Sequence, residues 1–236
     1  MCCGNKYEPI FLHWVKRIRE RCGNVPIVLL NNLGILNNTK FNLNEHGIIW
    51  AIRFKNFLDF IQTTNNPVVM CDVDVIIEKD LQQLVDLPYD IIISKESQGI
   101  NAYPKHCSNI LGFGVCAGFG IYKLSSLAFL NKIYDNMENK KYGNYDDQVN
   151  IMEHIVNSKR NVYDSKIVLD NREYTNIIIE IDDIKICVLD FEIVIRDPLI
   201  SNGQFANHIN IDFVEGTDNF IKYFYNDLKD LPCTRK

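Results

Sequence analysis

The sequence predicts an α/β fold: a mainly parallel central sheet flanked by helices, with antiparallel hairpins added toward the C-terminus. Three observations carry that expectation. Apolar runs bounded by turn residues alternate with amphipathic helical segments early in the chain, the order that builds a parallel sheet with helices on its faces. Later the helices give way to short apolar strands separated by turn residues such as Asp182-Asp183, as hairpins require. The composition, 47% hydrophobic and 23% charged over 236 residues, is that of one folded domain with a core to bury. No repeat, low-complexity stretch or linker divides the chain, so a single domain over 1–236 is expected.

Pro9 stands where a first helical turn starts, and Ile10, Phe11, Trp14, Val15 and Ile18 follow at helical spacing to about Arg21. Gly23-Asn24 breaks the chain, and residues 25–30 form an apolar run of the kind buried on both faces of a sheet. An Asn-rich loop over 31–44 leads to a second helix over 47–63, with Ile48, Ile49, Ile52, Phe57, Leu58 and Ile61 as its apolar positions. Asn65-Asn66-Pro67 ends it. Residues 68–70 read as a strand core, 81–85 as a short helix and 90–94 as another strand. The stretch 96–109 is polar and irregular, and Gly112, Gly114, Gly118 and Gly120 punctuate a strand reaching Tyr122. Ser125-Ser126 offers a cap for a helix to Met137, and another helix spans 146–156. Strands follow at 167–169, 177–181, 184–189 and 191–195.

Lys plus Arg number 25 and Asp plus Glu 30, a net charge of -5 with no dense basic cluster, which argues against nucleic acid as a partner. The eight cysteines lack CxxC spacing, and Cys71, Cys116 and Cys187 sit in apolar runs as small hydrophobes, so a reducing compartment is expected. The first residues have no apolar signal-peptide core, and no stretch reaches the roughly 20 apolar residues that span a bilayer. A soluble, cytoplasmic protein is the expectation. The abundance of Asn, Ile and Lys fits an AT-rich coding genome, as in a low-GC microbe or a large DNA virus.

The most informative segment is Val68-Val69-Met70-Cys71-Asp72-Val73-Asp74, because two carboxylates in so apolar a run are costly unless a cation or donors compensate them. Ligands bind α/β sheets at the carboxyl ends of strands. Period-two alternation turns Asp72 and Asp74 to one face, where both reach a hard divalent cation that also holds a diphosphate. Two solvated acids at a strand end, or two N-caps, fit the same residues. His208, in Ala206-Asn207-His208-Ile209-Asn210, adds an imidazole suited as third ligand, although a lone histidine is more often a surface or hydrogen-bonded residue. His13, His46, His106 and His154 fall on helices or in a polar loop and take that plainer reading.

Asp146 and Asp147 open a helix, where acids meet the positive end of its dipole. Alternatively they present a carboxylate at the ligand edge of the sheet to bind hydroxyls or act as a base. The run Gly114-Val115-Cys116-Ala117-Gly118-Phe119-Gly120 permits either the close approach of a sugar to the backbone or a β-bulge.

In chain order, the early βα unit, the strand ending in Cys71-Asp72-Val73-Asp74, the glycine-rich strand, the Tyr145-Asp146-Asp147-Gln148 helix start and the late His208-Ile209-Asn210 resemble the GT-A nucleotide-diphospho-sugar glycosyltransferases. The resemblance covers nearly the whole chain. It implies a Rossmann-like GT-A domain that transfers a sugar from a nucleotide-diphosphate donor, with UDP as the expected carrier, to a hydroxyl acceptor such as a glycan. It implies Mn2+ or Mg2+ held by Asp72, Asp74 and His208, with Asp72 reaching either the metal or the donor ribose. Asn5, Lys6 and Tyr7 match the place of the base and ribose, Arg53 or Lys55 the basic residue near the phosphates, and Gly118 the small residue beneath the donor sugar. Asp147, with Asp146 as its rival, matches the acid that contacts the sugar or the acceptor hydroxyl. The expected first strand, residues 1–3, is shorter than the family's, as in a trimmed or minimal domain.

An apolar strand followed by Asp-x-Asp also fits the nucleophile motif of haloacid-dehalogenase-type phosphatases, whose first aspartate attacks phosphorus. That motif normally lies on the first strand, whereas here a βαβα passage precedes it. The acids Asp146-Asp147, moreover, follow the polar Lys140-Lys141-Tyr142-Gly143-Asn144-Tyr145 and not an apolar strand. A non-catalytic module that holds a nucleotide sugar without turnover would use the same residues.

Overall fold

The computed structural model describes residues 8–28, 47–96, 99–195, 204–209 and 217–224. The expected first strand, Asn5, Lys6 and Tyr7, the loop over 31–44, His46 and Asn210 lie outside the described residues. Helices α1 (Glu8–Cys22) and α2 (Ile48–Ile61) form where the apolar spacing puts them. Strands β1 (Val68–Cys71), β2 (Val75–Ile77) and β3 (Ile91–Lys95) follow, with the one-turn helix α3 (Gln82–Val85) between the last two. Next come α4 (Lys105–Leu111), β4 (Val115–Tyr122), α5 (Leu127–Glu138) and α6 (Asp147–Asn157). The remainder is β5 (Arg160–Leu169), β6 (Arg172–Ile181), β7 (Ile184–Leu189), β8 (Val194–Ile195), β9 (Ala206–His208) and α7 (Thr217–Phe224).

The main sheet has six strands in the order β1-β4-β3-β7-β6-β5. Strands β1 and β3 both run antiparallel to β4, β3 pairs parallel with β7, and β7, β6 and β5 continue as an antiparallel meander. A small second sheet joins β2 antiparallel to β9 and β9 parallel to β8. The molecule is thus α/β with a mixed sheet and helices, and the mainly parallel sheet is corrected: among the described strands the six-stranded sheet has one parallel pair. Strand–helix–strand alternation is read as a crossover, but α4 does not carry the chain back over the sheet. Lys95 pairs with Val115, so residues 96–114 close a wide hairpin at one end of the sheet.

Apolar layers cover both faces. Ile91, Ile93, Ile186 and Val188 pack with α2, α5 and α6 through Phe57, Phe129, Leu130 and Met152. Their neighbours Ile92, Cys187 and Leu189 pack on the opposite side with Ile18, Val75, Ile77 and Leu84. Strands buried on both faces read as continuous apolar runs, which is why these were legible.

Other boundaries move. Residues 25–28, where a strand is expected to begin, carry none, and Val25 and Val28 are exposed. β5 and β6 are each ten residues long, far longer than the expected cores, because residues 160–166 are mostly exposed and give no apolar signal. Asp170 and Asn171, then Asp182 and Asp183, take left-handed φ of 49°, 61°, 50° and 64°, so both hairpins close through two-residue mirror-type turns. Ser126 stands before α5, yet its hydroxyl donates to Lys123 O at 2.7 Å and caps no helix amide. Among the described residues no helix is long and apolar enough to cross a membrane.

Candidate metal centre

At the end of β1 the chain turns sharply. Asp72 N donates to Gly118 O at 2.8 Å and Val75 N donates to Asp72 O at 3.1 Å, so Asp72-Val73-Asp74 is a turn between two sheets. The two carboxylates are brought together by that turn and not by the strand alternation expected from sequence. β2 then pairs with β9 so that Val75 lies opposite His208, and Ile209 N closes the corner on Asp74 O at 3.0 Å. His208 Nε2 stands 3.4 Å from Asp74 Oδ1, and one ligand atom from each of Asp72, Asp74 and His208 lies within 4.8 Å of the others.

Gly118 forms the floor. The β3–β4 register breaks between Ile93, opposite Gly120, and Ser94, opposite Cys116, leaving residues 117–119 as a bulge. A Cβ on residue 118 would fall 2.2 Å from His208 Cε1 and 3.0 Å from Asp72 Oδ2, so only glycine lets the imidazole and the carboxylate pack this closely on the backbone. The bulge expected of the glycine-rich strand is thus present, and the groups that approach its backbone at Gly118 are His208 and Asp72.

Arg53, on α2, ties the turn to α6. Its Nη1 donates to Asp72 Oδ1 at 2.9 Å and its Nη2 to the carboxylate of Asp147. Burial works against the guanidinium charge, but Asp147 and Asp72 outweigh it and hold Arg53 protonated well above its ordinary range. Asp147 is itself buried, whereas Asp146 caps α6 by accepting from Val149 N at 3.2 Å. Burial and the neighbouring Asp147 raise the pKa of Asp146. Lys55 lies outside this group, paired with Asp59 one turn along the exposed side of α2. The structure thus brings Arg53, Asp72, Asp74, Asp147, Gly118 and His208 together and leaves Lys55 apart.

Burial opposes a charge on His208, yet Cys116 and Asp74 more than offset it and lift the imidazole pKa to about 10. The Cys116 thiol, 3.2 Å from Nδ1, is a neighbour that sequence reasoning treats only as a core hydrophobe. Tyr122 is a second missed residue: it is fully buried, and its hydroxyl has no hydrogen-bond partner among the described residues. Burial, then the nearby Asp147, push its pKa above the ordinary tyrosine value. Its position at the end of an apolar strand gives no hint of this surrounding.

Two carboxylates and an imidazole are oxygen and nitrogen donors suited to Mn2+ or Mg2+. Asp72 and Asp147 share the Arg53 guanidinium and Asp74 faces His208, so three carboxylates meet two basic groups and the surplus acid is one a divalent cation would balance. Beside Arg53 and Asp72 opens a cavity of about 540 Å3, lined among the described residues by Trp14, Phe57, Phe60, Val69, Met70 and Cys71. That size and apolar lining suit a small ligand with an aromatic portion. Comparison with protein-family models, curated proteins and solved structures gives no match for the chain.

Proposed function

We propose that this chain is a divalent-metal-dependent glycosyltransferase of the GT-A type, which moves a sugar from a nucleotide-diphosphate donor, a UDP-sugar, to a hydroxyl acceptor such as a glycan. The observation that carries the reading is the convergence of Asp72, Asp74 and His208 beside a cavity large enough for a nucleoside. Asp72, Asp74 and His208 would hold Mn2+ or Mg2+, which would supply positive charge to the donor diphosphate. Arg53 fixes the orientation of Asp72, and Asp147 fixes Arg53 from the start of α6. Gly118, with no side chain, lets the His208 ring and the Asp72 carboxylate close in on the backbone of β4. The site lies at the carboxyl end of β1, where α/β sheets bind ligands.

A phosphatase would need Asp72 free to attack phosphorus, and the guanidinium of Arg53 occupies one of its oxygens. The test is incubation of the purified chain with a panel of nucleotide sugars and Mn2+, with and without EDTA, read as released nucleoside diphosphate. The expected result is slow UDP release that stops with EDTA. Phosphate release from monoesters would establish the phosphatase instead, and donor binding without turnover would reduce the protein to a binding module. UDP should also raise the melting temperature more in Mn2+ than in EDTA, since the two ligands bind the folded chain together. An equal shift in both conditions would separate the diphosphate from the Asp72–Asp74 turn.

A further inference from the structure

A second cluster of ligand atoms lies away from the turn, where α4 packs on α6. His106 and Cys107 are the second and third residues of α4, and Glu153 projects from the middle of α6. His106 Nε2 stands 2.6 Å from Glu153 Oε1 and 3.3 Å from Cys107 Sγ, and the three ligand atoms lie within 4.8 Å of one another. We infer that His106, Cys107 and Glu153 form a second cation site, selective for a soft divalent ion such as Zn2+.

The geometry agrees with the ion's demands. Tetrahedral zinc at ordinary Zn–N, Zn–O and Zn–S lengths separates its ligand atoms by roughly 3.3–3.7 Å. The His106–Cys107 separation already meets that range, and the His106–Glu153 pair needs to open by less than 1 Å. His106 can make this adjustment because its side chain is 61% exposed, while Cys107 is fully buried and Glu153 mostly so. The exposed imidazole gives the ion a path from solvent to a buried thiol, and three protein ligands leave a fourth position to water.

The donor sets separate the two sites. Asp72, Asp74 and His208 offer oxygen and nitrogen, which suit Mn2+ or Mg2+, whereas a thiolate selects zinc-like ions. An ordinary His–Glu ion pair beside a core cysteine is the competing account, and it predicts no selectivity and no role for sulfur. Just before α4, Tyr103 O also accepts from Gln148 Nε2 of α6 at 2.8 Å, so an ion here fastens the 99–111 region to the helix that begins at Asp147.

The test uses the full chain, stripped with chelator, in wild-type and Asp74→Ala forms, so that zinc held by the first site is subtracted. Zn2+ binding is measured by competition with a chromogenic chelator, and Co2+ binding by the sulfur-to-cobalt charge-transfer absorption that only a thiolate ligand produces. One Zn2+ per chain should remain in Asp74→Ala, weakened at least tenfold by His106→Ala and by Glu153→Gln. The cobalt–sulfur absorption should vanish in Cys107→Ser. If that buried substitution prevents folding, His106→Ala, at an exposed position, still decides the matter through zinc affinity. Unchanged affinity in His106→Ala and Glu153→Gln, or a cobalt–sulfur absorption that survives Cys107→Ser, would overturn the site.

Discussion

Two aspartate-bearing turns, Asp72-Val73-Asp74 and Asp182-Asp183, each set a histidine and a basic side chain against a carboxylate, with opposite results. At the β6–β7 turn, Asp182 accepts from His154 Nε2 at 2.7 Å and from Lys132 Nζ at 3.1 Å, so one carboxylate meets two basic groups near solvent. At the β1–β2 turn, Asp72, Asp74 and the adjoining Asp147 meet Arg53 and His208, and most of the group is buried. Surplus negative charge taken out of water is costly without a counter-ion, whereas a balanced pair at the surface is worth little either way. What separates a candidate site from a turn is therefore the ratio of acids to bases under burial, which an Asp-rich motif alone does not display.

The comparison breaks most directly by removing one carboxylate from each turn. Asp74→Ala should abolish metal-stimulated release of nucleoside diphosphate while leaving a folded chain, because Asp74 sits on a turn and is not fully buried. Asp182→Ala should leave that turnover intact. Full metal-stimulated activity in folded Asp74→Ala protein would place the chemistry elsewhere.

Stability sharpens the contrast next. Arg53→Met strands the buried carboxylate of Asp147, and breaking a buried pair from one side costs about 3–5 kcal/mol. Adding Asp147→Leu should recover much of that loss, since the uncompensated charge leaves with it. Lys132→Met, at the exposed turn, should cost under about 1 kcal/mol. Urea denaturation of the three variants checks this ordering, and equal losses at Arg53 and Lys132 would contradict it.

The third test separates the adjacent acids of α6. Asp147→Asn keeps an oxygen for Arg53 but removes the charge, and should cut turnover roughly a hundredfold while UDP binding stays near wild type. Asp146→Asn keeps the cap on Val149 N and should cost about 1 kcal/mol or less, with a far smaller effect on turnover. The reverse pattern in steady-state kinetics would exchange their assignments.

How much of this was legible follows from what each residue's signal depends on. The strand into Asp72 stands out because apolar residues run up to the acids, and the doubly buried strands β3 and β7 stand out for the same reason. Asp182-Asp183 is legible as a turn because short polar residues tolerate left-handed backbone. Strand direction is not written in this way: the wide hairpin from Lys95 to Val115 and a true crossover share one strand–helix–strand pattern. The polar arm of β5 is silent because neither face is buried. At the site, the choice of Arg53 over Lys55 needed the helix's rotation relative to β1, and the Cys116 contact needed the register of β9 on β2. Those are tertiary facts, and spacing along one chain does not encode them.

The smallest expected effect lies in the pH dependence of the exposed turn. The hydrogen bond from His154, with Lys132 adding to it, lowers the pKa of Asp182 below its ordinary value despite some burial. A carboxylate whose folded pKa is depressed stabilises the fold at pH above its unfolded pKa, and that contribution is lost as pH falls through the folded value. The contribution of Asp182 is thus complete above about pH 5 and disappears in the range below about pH 4. Solvent screening at this partly exposed position limits it to about 0.5 kcal/mol. Asp182→Asn should therefore lower stability slightly at pH 7, with the gap to wild type closing by about pH 2. Asn still tolerates the left-handed backbone of residue 182, so the difference reads the charge and not the turn. Denaturation curves that stay equally separated at pH 7 and pH 2 would assign the loss to turn geometry, and the two aspartate turns would then differ in shape and not in charge balance.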